Sequence, residues 1–282
     1  MKDFTKISGP AEAPRSLLFL FFLTLGTPTF ALEIEVRPQK PRPGDTVMVA
    51  IFNSIGPEAP VCKFDGADLP VYPMGQGRWK ALLGLGGDMT PGPRPLEVEN
   101  QEGQALKMAL TVYPAAFGYE SLTFTPEKDR LKNLGRGESK RIRKFLREET
   151  PQRLWEGSFL RPIEGEVSTP YGTRRAHSDY HRGVDLRSET GVLIKAPAPG
   201  NVILVEEMQM HGNTILIDHG QGIMSIYLHL WKFLVQAGQI VKKGQPIGKV
   251  GSTGLSTAPH LHWGVYVHGT PVNPLSWIEK EY

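Results

Sequence analysis

Alternation of apolar and polar positions dominates two long stretches of the chain. Leu32-Glu33-Ile34-Glu35-Val36 puts apolar and charged side chains on opposite faces, the period-two signature of a half-buried strand. Residues 46–52, 78–83, 96–99 and 105–113 carry further strand patterns, and Pro43-Gly44, Gly86-Gly87 and Pro91-Gly92 separate them as turns. Short strands at this spacing over residues 32–115 predict a small β-sandwich of immunoglobulin-like type. Residues 116–150 change period. Charged helix formers there surround Ile142, Phe145 and Leu146, which recur at helical spacing. They predict a helical linker that lays one apolar stripe on a neighbouring domain. From residue 151 onwards glycine-punctuated strands return, at 165–169, 183–186, 201–206, 214–218, 224–228, 246–250 and 260–267. The fold class is therefore mainly β: a sandwich, a helical linker, and a compact antiparallel β domain over residues 151–282.

The first 31 residues follow a different rule. Lys2, Lys6 and Arg15 outweigh Asp3 and Glu12, an apolar run covers 17–25, and Gly26, Pro28 and Ala31 come next. That is the pattern of an export signal, with cleavage expected after Ala31. The run is short for a membrane span, so an uncleaved anchor is the lesser alternative and no stable membrane insertion is expected after cleavage. The expected location is the periplasm or cell envelope, or the medium. Two domains are the default for 282 residues, and 40% hydrophobic with 22% charged residues is ordinary for a globular chain. A net charge of +3 is too slight for nucleic-acid binding and mildly favourable towards an anionic polymer. Cys62 is the single cysteine, so no intramolecular disulfide forms. It reads as a small buried hydrophobe.

Candidate chemistry is confined to the last third of the chain. All eight histidines lie between His177 and His268. His181-Arg182-Gly183-Val184-Asp185 and His260-Leu261-His262 offer imidazoles and a carboxylate, the ligand types zinc prefers. Their even spacings predict that each set projects from one face of a strand, with Gly183 leaving room for a metal between His181 and Asp185. Glycines and β-branched neighbours exclude a helical His-Glu-x-x-His arrangement. His177, His211, His219 and His268 read as ordinary hydrogen-bonded residues.

With these motifs the segment 159–278 resembles the lysostaphin/LytM family of zinc metallopeptidases, which cut the peptides of bacterial peptidoglycan. Tyr171-Gly172, His181-x-Gly183-x-Asp185, Ala196-Pro197-Ala198-Pro199-Gly200 and Asn213-x-Ile215-x-Ile217-Asp218-His219-Gly220 carry the resemblance in order. Tyr227-Leu228-His229-Leu230, Val241-Lys242-Lys243-Gly244-Gln245 and the run from Gly251 to His262 complete it, with Ala258 where glycine is frequent. The resemblance implies one zinc held by His181, Asp185 and His262, with His229 and His260 as catalytic histidines that do not bind it. It implies an endopeptidase acting on peptidoglycan cross-links or stem peptides, with metal-bound water as nucleophile. A regulatory protein partner is compatible with it, and the sandwich or the segment 136–149 could act as an inhibitory cover. The rival readings are a non-catalytic relative that binds wall or activates a hydrolase, and a biotinyl- or lipoyl-type carrier hairpin. Gln209 stands where the carrier's modified lysine would be required.

Overall fold

The computed structural model describes residues 31–54, 58–121, 126–175 and 179–282. The expected signal segment lies outside them, apart from Ala31, as does His177. No helix among the described residues is long and apolar enough to cross a membrane.

The chain divides into two compact units. Of the described residues, one unit collects those up to Gln39 and those in Met48–Ala81 and Pro93–Leu110. Its strands, in chain order, are β1 (Glu33–Arg37), β2 (Thr46–Phe52), β3 (Val61–Phe64), β4 (Ala67–Leu69), β5 (Val71–Gly75), β6 (Arg78–Gly84), β7 (Gly92–Glu99) and β8 (Ala105–Val112). They form two four-stranded sheets, β1-β2-β6-β5 and β4-β3-β7-β8. The alternation read from sequence is realised on β7, where Leu96 and Val98 are buried beside exposed Glu99. Cys62 on β3 faces Leu69 and Val98 across the strands. Its burial pushes the thiol up to about 12, so it is a hydrophobe and no nucleophile at neutral pH.

The second unit holds Lys40–Val47, Leu82–Gly92 and Thr111–Tyr282. Its elements are α1 (Pro126–Phe145), β9 (Val167–Thr169), β10 (Val184–Arg187), β11 (Leu193–Lys195), β12 (Gly200–Met208), β13 (Gly212–Asp218) and β14 (Ile223–Leu230). They continue with β15 (Lys232–Phe233), β16 (Ile240–Val241), β17 (Pro246–Lys249), β18 (His260–Val267), β19 (Thr270–Val272) and α2 (Pro274–Glu279). An eight-stranded antiparallel sheet runs β16-β12-β13-β14-β18-β10-β9, with β19 paired to β18. A small sheet orders β11-β17-β15. The two early segments join this unit by direct bonds: Arg174 Nη2 donates to the Gly87 carbonyl (2.8 Å). Asn273 N–H donates to the Gly44 carbonyl (2.7 Å), and Trp277 Nε1 donates to Thr46 Oγ1 (3.0 Å).

All eight residues of β14 are buried, which requires cover on both faces of the sheet. Helix α1 supplies part of one cover. Ile142 and Leu146 are buried against Leu204, Met208, Leu216, Met224, Ile226, Leu228 and Tyr266, with Phe145 partly buried beside them. Each aliphatic side chain so buried contributes roughly 1.5–3 kcal/mol. The apolar stripe therefore docks on the β domain, as its periodicity predicts.

His219 sits at the end of β13, fully buried. Its Nδ1 donates to the Pro199 carbonyl (2.7 Å), and Ser225 Oγ lies 2.8 Å from Nε2 with Tyr227 Oη 2.8 Å beyond. Burial lowers its pKa to about 4, only partly offset by the Pro199 bond. As pH falls from about 6.5 the unfolded chain gains a proton that the native ring refuses until about pH 4. Native stability is therefore full above that window and falls within it, by on the order of 3 kcal/mol for this group. Denaturant unfolding at pH 7 and pH 4.5 should show a smaller pH loss in His219→Gln than in the natural chain.

Candidate metal centre

Strands β10 and β18 pair so that Asp185 lies directly opposite His262. His262 faces Leu228, Gly264 faces Ile226 and Tyr266 faces Met224, so the even-numbered residues of β18 share the sheet face that α1 covers. Asp185 and His262 meet on that face, with His262 Nδ1 2.9 Å from Asp185 Oδ1. His181 arrives differently from the expectation. Strand β10 begins only at Val184, and His181 lies upstream of it. Its N–H donates to the Thr173 carbonyl (2.9 Å) and its carbonyl accepts from Gly172 N–H (2.9 Å). The chain bends between His181 and Val184 and brings His181 Nε2 within 3.0 Å of Asp185 Oδ1 and 2.9 Å of His262 Nδ1.

At Gly183 the close approach of β18 leaves no space for a side chain. A Cβ there would lie 2.5 Å from the Trp263 carbonyl and 2.8 Å from His262 Nε2. The glycine makes room for the Trp263 carbonyl and the His262 ring.

The donor set fits a transition metal. Two imidazole nitrogens and a carboxylate oxygen form one compact triangle among buried residues, the single such group among the described residues. His181 Nδ1 donates to the Pro170 carbonyl (3.1 Å), which leaves Nε2 with its lone pair towards the triangle. Burial opposes the charge on Asp185, but the His181 and His262 rings packed against it hold its carboxyl well below the usual carboxylate range. Burial lowers His262 to about 4, only partly offset by its contact with Asp185, so its ring is neutral and able to ligate at pH 7.

His229 and His260 complete the wall. Strand parity alone would send His229 to the opposite face from His262, because its neighbours Leu228 and Leu230 alternate with it. The structure overrides parity. His229 has a left-handed backbone (φ 65°), and the β13–β14 register shifts beside it, between Asn213 and Ile215. The ring is thereby carried to 5.0 Å from the His260 ring and 6.4 Å from the His262 ring, centroid to centroid. Each ring is anchored by Nδ1: His229 donates to the Thr253 carbonyl (2.8 Å) and His260 to the Ala258 carbonyl (2.8 Å). Their Nε2 atoms are thus lone-pair atoms, and that of His260 lies 3.7 Å from Asp185 Oδ1. Burial, then the charges of His260 and His262, lower His229 to about 3.

All five residues singled out by sequence converge here. The remaining described histidines do not: His211 bonds Glu138 (2.7 Å), His219 is in its own network, and His268 bonds Glu149 (2.7 Å). Sequence reasoning missed the carbonyls of Pro170, Thr253 and Ala258, which orient the rings. Main-chain acceptors carry no residue-type signal.

An antiparallel β domain with a His-Asp-His donor face and two further histidines defines a metallopeptidase-type centre. The profile of peptidase family M23 matches residues 179–274. A crystal structure from Pseudomonas aeruginosa, described as a candidate M23 peptidase, is 33% identical with a TM-score of 0.67, covering 85% of this chain and 95% of that one. Peptidoglycan DD-endopeptidase ShyA of Vibrio cholerae is 33% identical over 169 residues, 55% of this chain and 39% of the relative. Murein hydrolase activator EnvC of Escherichia coli is 34% identical over 124 residues, 44% of this chain and 30% of the relative. The match therefore spans well under half the length of these curated relatives. The chain belongs to peptidase family M23.

Proposed function

We propose that the chain is an exported zinc-dependent endopeptidase that hydrolyses peptide bonds in the cross-links or stem peptides of peptidoglycan. The observation that carries this reading is the single buried face on which His181, Asp185 and His262 converge while His229 and His260 keep free Nε2 lone pairs beside them. His181, Asp185 and His262 would hold the zinc. When bound, it supplies Lewis acidity, polarising a carbonyl and making water acidic near neutral pH. The residues do the rest. His229 and His260, pinned through Nδ1, take the proton of the attacking water and return it to the leaving amine nitrogen as the C–N bond breaks. The Nδ1–H···O=C anchors fix the tautomer in which Nε2 can accept.

Export rests on the pattern of residues 1–31, and the peptidoglycan substrate rests on relatives such as the one named a DD-endopeptidase. A relative named as a hydrolase activator favours a second, non-catalytic reading in which a regulatory protein partner is bound. The complete ligand set and both free histidines favour the enzyme. Digestion of purified peptidoglycan by residues 32–282 discriminates the two. Zinc-restored loss of cross-linked dimers after chelation, read by mass spectrometry, supports the enzyme and identifies the bond. Intact dimers across walls of different cross-link chemistry, with zinc bound, would support the activator.

A further inference from the structure

Glu138 is the residue of α1 whose contacts are least expected from the helix pattern. Its carboxylate reaches the turn between β12 and β13 and takes three consecutive main-chain donors. Oε1 accepts from Gln209 N–H (2.6 Å), both oxygens approach Met210 N–H (3.2 and 3.1 Å), and Oε2 accepts from His211 N–H (3.1 Å). Oε2 also accepts from His211 Nδ1 at 2.7 Å. Burial opposes ionisation of this carboxyl, and the bonds from the His211 ring and the three amides more than offset it, leaving its pKa lowered. Gly135, one helical turn earlier, has no side chain to hold the helix off, since a Cβ there would overlap Met210 Sδ.

That turn is mechanically joined to His229. The His211 carbonyl accepts from His229 N–H (3.2 Å), and the Met210 carbonyl accepts from Leu255 N–H (2.7 Å). Thr253, whose carbonyl anchors the His229 ring, has its Oγ1 between Asn213 N–H (2.9 Å) and the Leu230 carbonyl (2.9 Å). Gly212 and Gly254 let these segments touch, because a Cβ at either would lie 2.4 Å from atoms of the opposing segment. His229 has a backbone conformation that an L-residue rarely adopts, so it persists only where neighbours over-determine it. On its outer side those neighbours end at Glu138.

We propose that Glu138 is a positioning residue for His229, and that α1 is thereby a working part of the catalytic face rather than a spacer or a cover. This rests on the reading of His229 given above. It is tested in the chain 32–282 by Glu138→Ala and Glu138→Gln, the second keeping an acceptor oxygen of the same reach. The expected result for Glu138→Ala is faster amide hydrogen exchange at His229, by tenfold or more, with exchange at Leu216 and Ile217 and zinc content unchanged. With peptidoglycan, kcat falls about tenfold to a hundredfold at constant KM, and Glu138→Gln recovers part of the loss. Unchanged exchange at His229 overturns the proposal, as does a kcat loss that merely follows zinc loss or global unfolding. The exchange arm decides the matter even if the natural chain cleaves no wall, so failure of the enzymatic reading is distinguishable from failure of this one.

Discussion

His262→Ala is expected to lose stoichiometric zinc and, with it, at least about a thousandfold of the turnover on peptidoglycan. The residue supplies one of three ligand atoms, and the other two, from His181 and Asp185, lie 3.0 Å apart on a face that then lacks its third corner. Lewis-acid stabilisation is worth several kcal/mol, and each 1.36 kcal/mol is tenfold in rate, which sets the scale of the loss. Stability gives a readout independent of catalysis. A ligand that binds only the native state at a thousand times its Kd adds about 4 kcal/mol, so zinc should raise the melting temperature of the apo natural chain and leave that of His262→Ala almost unmoved. One zinc per chain in His262→Ala, with a normal melting shift, would remove His262 from the ligand set.

The ligands were legible because residue type and spacing both carry the metal's demand. His181, Asp185 and His262 are recognisable in the chain; what is not recognisable is the register that sets Asp185 against His262. The expectation of a common strand face failed for His181 because the chain bends at Arg182 and Gly183 before β10 begins. Strand parity would equally have misplaced His229, whose left-handed backbone is set by tertiary bonds from His211 and Thr253. Helix α1 and its docking stripe followed from period alone, since Ile142 and Leu146 needed an apolar surface wherever it lay. Glu138 could not be found that way. Its partners are main-chain amides some 71–73 residues distant, and an exposed-looking glutamate in a charged helix is ordinary. In the first unit, β3 and β4 escaped the strand pattern because four and three residues are too few to establish a period, and β5 because Pro73 and Gly75 interrupt it. The division of the chain into units was likewise hidden, because 40–47 and 82–92 join the second unit through bonds such as Asn273 N–H to Gly44.

His229→Ala and His260→Ala should separate catalysis from metal binding, each keeping one zinc per chain while kcat falls by about 10²- to 10⁴-fold. Neither ring is a corner of the ligand triangle. His260 Nε2 stands 3.7 Å from Asp185 Oδ1, and the His229 ring is 6.4 Å from that of His262. Both present an unprotonated Nε2 because Nδ1 is committed to a carbonyl, so removing either deletes a proton acceptor without opening the donor face. The two losses should not add. Residues that move one proton between water and the leaving amine act as a unit, and the double variant should be little worse than the more damaged single one. His229→Ala also relieves a strained backbone position only slightly, since alanine meets the same left-handed φ. His229→Gly therefore serves as its control: similar activity loss in alanine and glycine variants assigns the loss to the ring. Loss of zinc from both His229→Ala and His260→Ala would instead make them part of the metal's support and return the proton transfer to other groups.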